Sequence, residues 1–113
     1  MQDQKLAVYD KLVAKCLRFP RKGKTMPYTS ANGYMFSLYN KAEEIGIRFS
    51  KEDQQNFIEK HQTTIYKSYG AVMRGYVLIP DEMLGDLDAL AVYLDKSNDY
   101  VMSLEPNNPK KSK

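Results

Sequence analysis

Asn32-Gly33 separates two β-prone runs, and this pair constrains the fold more than any other stretch of the chain. A two-residue type I′ turn needs positive φ at both central positions, and Asn-Gly meets that requirement well. The sequence therefore predicts a hairpin with strands over about residues 25–30 and 34–39. Because Pro27 cannot donate a ladder hydrogen bond, the first strand should lie at a sheet edge.

Three further strands follow from two-residue alternation. In the run IGIRF, residues 45–49, the large apolar side chains fall on one face, and Gly46 and Arg48 fall on the other. The runs at 63–69 and 71–79 are rich in β-branched and aromatic residues and predict the fourth and fifth strands. In the fifth strand, strict alternation places Ala71, Met73, Val77 and Ile79 on one face and Val72, Arg74, Tyr76 and Leu78 on the other.

Helical patterns occupy the rest of the chain. Residues 3–18 carry apolar side chains at three- and four-residue steps, which predicts a helix that ends before Pro20. A second, mostly exposed helix begins after Ser50, the predicted N-cap. The last helix is predicted over residues 81–104, directly after a proline.

The predicted element order is α-β-β-β-α-β-β-α. This order indicates an α+β fold of two layers, in which a five-stranded antiparallel sheet carries the helices on one face. A chain of 113 residues can bury one core without disulfides or a metal. We expect a single domain over residues 1–104 and a disordered basic tail over residues 105–113.

Composition favours a cytoplasmic protein that has no cofactor and no membrane partner. The N-terminal stretch lacks the apolar segment of a secretory signal, and no run approaches the roughly 18 apolar residues of a membrane span. Cys16, the single cysteine, lies at apolar helical spacing and is interpreted as a core residue. With one cysteine and one histidine, the chain has no recognisable zinc site.

No residue pattern in the sequence is typical of a catalytic site. His61 could pair with Glu52 or Glu59, but a solvated histidine at a helix C-terminus is the commoner arrangement. A carboxylate-rich stretch follows Pro80, where the helix dipole favours acidic residues without any catalytic role. Its members are Asp81, Glu82, Asp86 and Asp88. The sequence predicts a non-enzymatic protein with no catalytic, cofactor-binding or metal-binding residues, and an enzyme with an unrecognised site stays open as the alternative.

An arginine–tyrosine surface on the helix-free face of the sheet is the candidate interaction site. If the helices cover one face, the alternations leave Arg48, Arg74 and Tyr76 on the other. Tyrosine and arginine are enriched in the buried centres of protein interfaces. We therefore expect these three side chains to be exposed in the monomer and to bind a protein partner, either another protein or a second copy of the chain.

A basic loop provides a second functional hypothesis. Arg18, Arg21, Lys22 and Lys24 lie within seven residues, and the tail adds three lysines. Such cations can contact nucleic-acid phosphates, so a weak nucleic-acid-binding protein is the alternative function. The net charge of only +3, and the lack of interleaved aromatic residues beyond Phe19, make this the second choice.

The run from about residue 24 to residue 94 resembles the N-terminal domain of the bacterial competence regulator TfoX, also called Sxy. Members of that family carry a methionine, an Asp/Asn-Gly-x-Met-Phe hairpin, and a short apolar strand that ends in a basic residue before an acidic helix start. Further on they carry a tyrosine four residues before a proline, and a helix with leucines and a tryptophan. The matching positions here are Met26, Asn32-Gly33-Tyr34-Met35-Phe36, Ile45-Gly46-Ile47-Arg48, Glu52-Asp53, Tyr76, Pro80, Leu84, Asp86 and Leu90, with Tyr93 in place of the tryptophan.

The resemblance implies a two-layer fold similar to that of type III secretion chaperones. It also implies a protein-interaction role connected with transcription regulation in the bacterial cytoplasm, and no known catalytic activity. Full-length regulators of this family carry a second, C-terminal domain that resembles a helix-hairpin-helix unit. We expect this chain to be a stand-alone, single-domain member without that second domain.

Overall fold

The computed structural model describes residues 2–16, 23, 27–40, 44–68 and 71–105. In this part of the chain, three α-helices and a five-stranded antiparallel sheet form the predicted α+β fold, in the predicted order. A 3₁₀ helix, Asp81–Gly85, precedes the last α-helix. The elements are α1 (Gln2–Lys15), β1 (Tyr28–Ala31), β2 (Tyr34–Tyr39), β3 (Ile45–Arg48), α2 (Lys51–His61), β4 (Ile65–Ser68), β5 (Ala71–Leu78) and α3 (Leu87–Met102).

The strand order across the sheet is β1-β2-β3-β5-β4, with every neighbouring pair antiparallel. β1 follows Pro27 and lies at one edge, as the proline predicts. The β1–β2 turn has φ of 56° at Asn32 and 83° at Gly33, which confirms the predicted turn chemistry. β4 forms the opposite edge of the sheet.

The main hydrophobic core lies between the helices and one face of the sheet. α3 packs against α1 and against the first three strands, while α2 packs against β5. The apolar residues of the run 45–49 all point into this core, as their alternation predicts. Cys16 is also buried here, which confirms that it is a core residue. Other large buried members are Tyr9, Leu12, Phe36, Phe57, Val77, Leu90, Leu94 and Val101.

A second hydrophobic cluster lies on the opposite face, and the described residues that form it all belong to strands. Leu38, Tyr66 and Tyr76 are buried at its centre. Tyr76 alternates with Val77 of the main core, which places the two clusters on opposite faces of β5. The partly buried members that pack around the centre are Tyr28, Met35, Met73 and Leu78.

Gly75 breaks the strict alternation predicted for β5. Its φ is +82°, and the pairing with β4 shifts in register across this segment. As a result Met73 packs with Tyr76, whereas alternation had placed Met73 on the face of Val77. The predicted face of Met73 is therefore wrong, and so is the predicted shared face of Arg74 and Tyr76, because Arg74 lies opposite Met73 in the strand. The physical reason is a glycine-dependent irregularity of the kind found at β-bulges.

Two helix boundaries differ from the predicted ones by three residues or more. α1 ends at Lys15, earlier than the predicted residue 18. The last helix begins only after Asp86, whose side chain accepts a hydrogen bond from the Ala89 amide at 3.2 Å and acts as the N-cap. Ser50 caps α2 as predicted, since its hydroxyl accepts from the Asp53 amide. The basic loop at 18–24, except Gly23, and the tail beyond Glu105 lie outside the described residues.

Candidate functional site

A groove of about 450 Å³ lies at one end of the sheet, where β3, β5 and the helices α2 and α3 meet. Two of the three predicted interaction residues, Arg48 and Arg74, line it. Its lining residues are Arg48, Phe49, Lys51, Gln54, Ile65, Val72, Arg74, Gly75 and Tyr100. In the groove, Arg48 and Arg74 lie beside side chains from α2, β4 and α3.

The irregularity at Gly75 accounts for the position of Arg74. Val72 and Arg74 line the groove, whereas Met73 and Tyr76 pack into the strand-only cluster. The Phe49 amide donates to the Gly75 carbonyl at 2.8 Å, so pairing of the two strands continues past the irregularity. A Cβ on residue 75 would lie 3.3 Å from the Phe49 carbonyl oxygen. The backbone thus fixes which side chains of β5 reach the groove.

Arg48 is held in place by two tyrosine rings. Its guanidinium carbon lies 5.4 Å from the ring centroid of Tyr34 and 5.7 Å from that of Tyr100. A guanidinium within about 6 Å of a ring centroid gains a cation–π attraction. The Tyr34 hydroxyl in turn donates to the Glu105 carbonyl at 2.7 Å. Arg48 is therefore a half-buried, positioned cation, whereas Arg74 is exposed.

The groove combines positive charge with exposed aliphatic surface. Its lining contains three cations, Arg48, Lys51 and Arg74, and no carboxylate among the described residues. Val72 is 57% exposed and Ile65 is 39% exposed, which places both among the most exposed large hydrophobic residues of the described chain. Exposed apolar side chains beside cations are a common feature of interaction surfaces.

Tyr76 does not belong to this surface, so its predicted exposure is wrong. The side chain is only 5% exposed, and its hydroxyl donates to the Met35 carbonyl at 2.7 Å. Burial raises the pKa of the Tyr76 hydroxyl, although the nearby charge of Arg48 lowers it in part. The Tyr76 carbonyl accepts a hydrogen bond at 3.1 Å from Gln54, a groove residue. Tyr76 thus contacts a groove residue through its backbone carbonyl, and its buried side chain offers no surface to a partner.

Sequence reasoning missed several groove residues. Lys51 and Gln54 come from α2, and Tyr100 comes from α3, so only tertiary packing brings them to the strands. Val72 was placed correctly on the face of Arg74 but was not recognised as a site residue. The available signal was Gly75, because an isolated glycine inside a strand pattern indicates a bulge. The four residues of the nucleic-acid hypothesis, Arg18, Arg21, Lys22 and Lys24, lie outside the described residues.

A smaller cavity of about 200 Å³ lies between α2 and α3. Its apolar wall is an aromatic cluster in which Phe57 contacts both Phe49 and Tyr93. The His61 ring packs against the Phe57 ring in a tilted arrangement, with ring centroids 4.4 Å apart, and its Nε2 atom lies 3.2 Å from the Tyr93 hydroxyl. The prediction of a solvated histidine is therefore wrong, because His61 is half-buried against α3. The cavity is lined by Phe49, Asp53, Asn56, Phe57, Lys60, Tyr93 and Lys96.

The structure divides the acidic residues after Pro80 between the 3₁₀ helix and the start of α3, whereas the sequence placed them all at the start of one helix. Asp86 caps α3, and Asp88 lies 2.8 Å from the Lys15 ammonium group. The hydrogen bond from Lys15 and its charge lower the pKa of the Asp88 carboxyl group. Asp81 and Glu82 are exposed in the 3₁₀ helix.

In the ranges that the structure describes, no three histidine, cysteine or acidic side chains gather in a way that could hold a metal ion. No helix in the described part of the chain combines the length and the apolar character needed to cross a bilayer.

Comparison with known proteins adds no family to these observations. No protein-family model matches this sequence. No curated protein matches it either. The groove and the residues that form it are therefore the basis for inferring a function.

Proposed function

We propose that this chain is a non-enzymatic protein-interaction module that docks a partner protein in the groove formed by Arg48, Val72, Arg74 and Tyr100. The observation that carries this proposal is the combination of two arginines with exposed aliphatic side chains and no lining carboxylate among the described residues. Arginine and tyrosine anchors at the centre of an interface carry a large share of binding energy. The resemblance to the N-terminal domain of TfoX supports an interaction role connected with transcription regulation in the bacterial cytoplasm.

Site-specific photo-crosslinking in the native cell tests this proposal. A photoreactive amino acid replaces Val72 in the groove or, as the matched control, Val92 on α3. Val92 is a similarly exposed valine, 63% against 57%, and does not line the groove. We expect a discrete protein adduct from position 72 that is missing from position 92. Identical adduct patterns at both positions, or no adduct at position 72, would contradict the proposal.

The Arg74→Ala variant then separates docking from folding. Arg74 is exposed, so its removal should change the free energy of unfolding by no more than about 0.5 kcal/mol. The adduct at position 72 should decrease strongly in this variant, because arginine anchors in interfaces typically contribute about 2 kcal/mol or more. An adduct between two copies of the chain, together with a dimer in analytical ultracentrifugation, would identify the partner as a second copy.

A further inference from the structure

The charge and the apolar side chains of the groove together restrict the chemistry of its occupant. Three cations line the groove, and none of the lining residues that the structure describes is acidic. Complementary charge across an interface both accelerates association and excludes wrong partners. An occupant should therefore present carboxylates or another anion opposite Arg48, Lys51 and Arg74.

The exposed aliphatic side chains favour a peptide over a nucleic acid. Single-stranded nucleic acids bind through a positively charged groove that follows the backbone, combined with base stacking on free aromatic faces. The groove offers Val72 and Ile65 as its exposed apolar side chains, and its tyrosine, Tyr100, is only partly exposed and already contacts the Arg48 guanidinium. Aliphatic surface suits a leucine, isoleucine or valine side chain better than a base.

The edge strand beside the groove indicates that the occupant is recognised through its side chains and not by adding a strand to the sheet. β4 is the sheet edge beside the groove, and it contributes Ile65 to the lining. The Asn40 amide, at the end of β2, donates to the Lys67 carbonyl of β4 at 3.3 Å. β4 is also only four residues long, which leaves little edge for an added strand. The occupant is then held by its carboxylates and an apolar side chain, with no need to extend the sheet.

We propose that the groove binds an acidic peptide segment in which an aliphatic side chain lies next to two or more carboxylates, an inference that rests on the proposed function. The exposed guanidinium of Arg74 pairs with one carboxylate in bidentate geometry. The Arg48 guanidinium is pre-positioned by Tyr34 and Tyr100 and faces a second carboxylate. The aliphatic side chain of the peptide contacts Val72 and Ile65 between these two charged contacts.

Peptide libraries provide a direct binding test. The first library holds fluorescent peptides of about twelve residues, with glutamates around one randomised aliphatic position, a length typical of groove-binding segments. The second library has glutamine in place of every glutamate, and the third has serine in place of the aliphatic residue. An oligothymidine of similar length represents nucleic acid. Binding to the full-length chain is measured by fluorescence anisotropy at low and at physiological salt.

We expect the acidic aliphatic library to bind and the glutamine library to bind at least about tenfold more weakly, because its charged contacts are lost. The serine library should bind several-fold more weakly, because its aliphatic contact is lost. Arg74→Ala should weaken binding by about tenfold, and Val72→Ser should weaken it by several-fold. Val92→Ser, outside the groove, should leave the affinity unchanged. Binding should also decrease with added salt, because the contacts are between exposed charges.

Three outcomes would overturn this inference. Equal binding of the glutamate and glutamine libraries would show that charge does not select the occupant. Tighter binding of oligothymidine, again lost in Arg74→Ala, would assign the groove to nucleic acid. No binding of any peptide up to about 1 mM, the limit of weak recognition, would exclude an acidic segment. If the adduct at position 72 persists in the last case, the proposed docking function stands and only the acidic class of partner is wrong.

Discussion

The ring of Tyr66 lies against the backbone of Gly46 on the helix-free face of the sheet. A Cβ at position 46 would lie only 2.5 Å from two carbons of that ring. Tyr66 is fully buried, and its hydroxyl donates to the Glu44 carbonyl at 2.9 Å, so the ring has little freedom to move. The absence of a side chain at position 46 is therefore a packing requirement of the second cluster.

We predict that Gly46→Ala lowers the free energy of unfolding by about 1–3 kcal/mol, the usual cost of forcing an extra methyl group into a packed site. Gly85→Ala is the matched control, because nothing lies within 4 Å of a Cβ at that position. It should change stability by no more than about 0.5 kcal/mol. Urea denaturation of both variants measures the difference.

A double-mutant cycle with Tyr66→Ala tests whether contact with the Tyr66 ring causes the loss of stability in Gly46→Ala. Removing the Tyr66 ring leaves room for the new methyl group, so Gly46→Ala should cost much less in this background. An undiminished cost would show that the backbone of residue 46, and not contact with the Tyr66 ring, opposes the substitution.

Single residues also show where sequence reasoning succeeds and where it fails. Alternation in the run 45–49 correctly places its three large apolar side chains in the main core and Gly46 against Tyr66 on the other face, because β3 is regular and pairs on both sides. It does not reveal that the Arg48 guanidinium contacts Tyr100 of α3. The same rule fails at Met73, because the positive φ of Gly75 shifts the alternation by one position. Tyr76 was expected in solvent because no helix covers its face. It is buried instead by other strand residues, a tertiary effect that a single strand pattern does not reveal.

At the scale of elements, the β1–β2 turn also caps the end of α3. The Asn32 side-chain amide donates to the Val101 carbonyl at 2.8 Å and to the Leu104 carbonyl at 2.9 Å. The last carbonyls of an α-helix have no partner inside the helix and need one from elsewhere. Asn32 therefore links the hairpin to a helix about seventy residues away in sequence.

We predict that Asn32→Gly lowers the free energy of unfolding by about 1–2 kcal/mol through the loss of these two hydrogen bonds. Glycine keeps the positive φ of the turn, so the hairpin itself should be preserved. Asn32→Asp should be at least as destabilising, because it places a negative charge at the helix C-terminus and removes both donors. Thermal unfolding and hydrogen exchange of the last turn of α3 measure the effect, and wild-type stability of Asn32→Gly would refute this role.

The element order and the turn chemistry were predictable because they depend on local patterns. The Asn-Gly turn, the Ser50 cap and the edge position of β1 follow from residue types at fixed positions. The groove was predicted only through Arg48 and Arg74. Its remaining walls come from α2, β4 and α3, whose approach to the strands depends on long-range packing.

At the scale of the whole molecule, both faces of the sheet contribute to stability. The helices cover one face, and the strand-only cluster around Tyr66 and Tyr76 closes the other. The groove that we propose as the docking site lies at the end of the sheet. The free energy of unfolding should therefore depend on the strand-only cluster, independently of any partner bound in the groove.

The two buried tyrosines predict a loss of stability in alkali. Burial raises the pKa of both hydroxyl groups, and the nearby Glu44 carboxylate raises that of Tyr66 further. In the unfolded chain, both should ionise near the usual tyrosine pKa of about 10. Above that pH the unfolded state loses protons that the folded state retains, so the free energy of unfolding decreases as pH rises. The stabilisation is complete below a pH of about 10 and disappears as the pH approaches the raised pKa values of the folded state.

We expect the double variant Tyr66→Phe/Tyr76→Phe to be less stable than wild type at neutral pH, because the carbonyls of Glu44 and Met35 lose their donors. Its free energy of unfolding should nevertheless decrease less steeply with pH above about 10, since each buried phenol can contribute up to about 1.4 kcal/mol per pH unit. Urea denaturation at a series of alkaline pH values, followed by circular dichroism, gives both slopes. Tyr28→Phe, at a partly buried tyrosine of the same cluster, is the matched control for the loss of one phenol hydroxyl group. Equal slopes for the double variant and wild type would mean that Tyr66 and Tyr76 ionise in the folded protein as readily as in the unfolded chain.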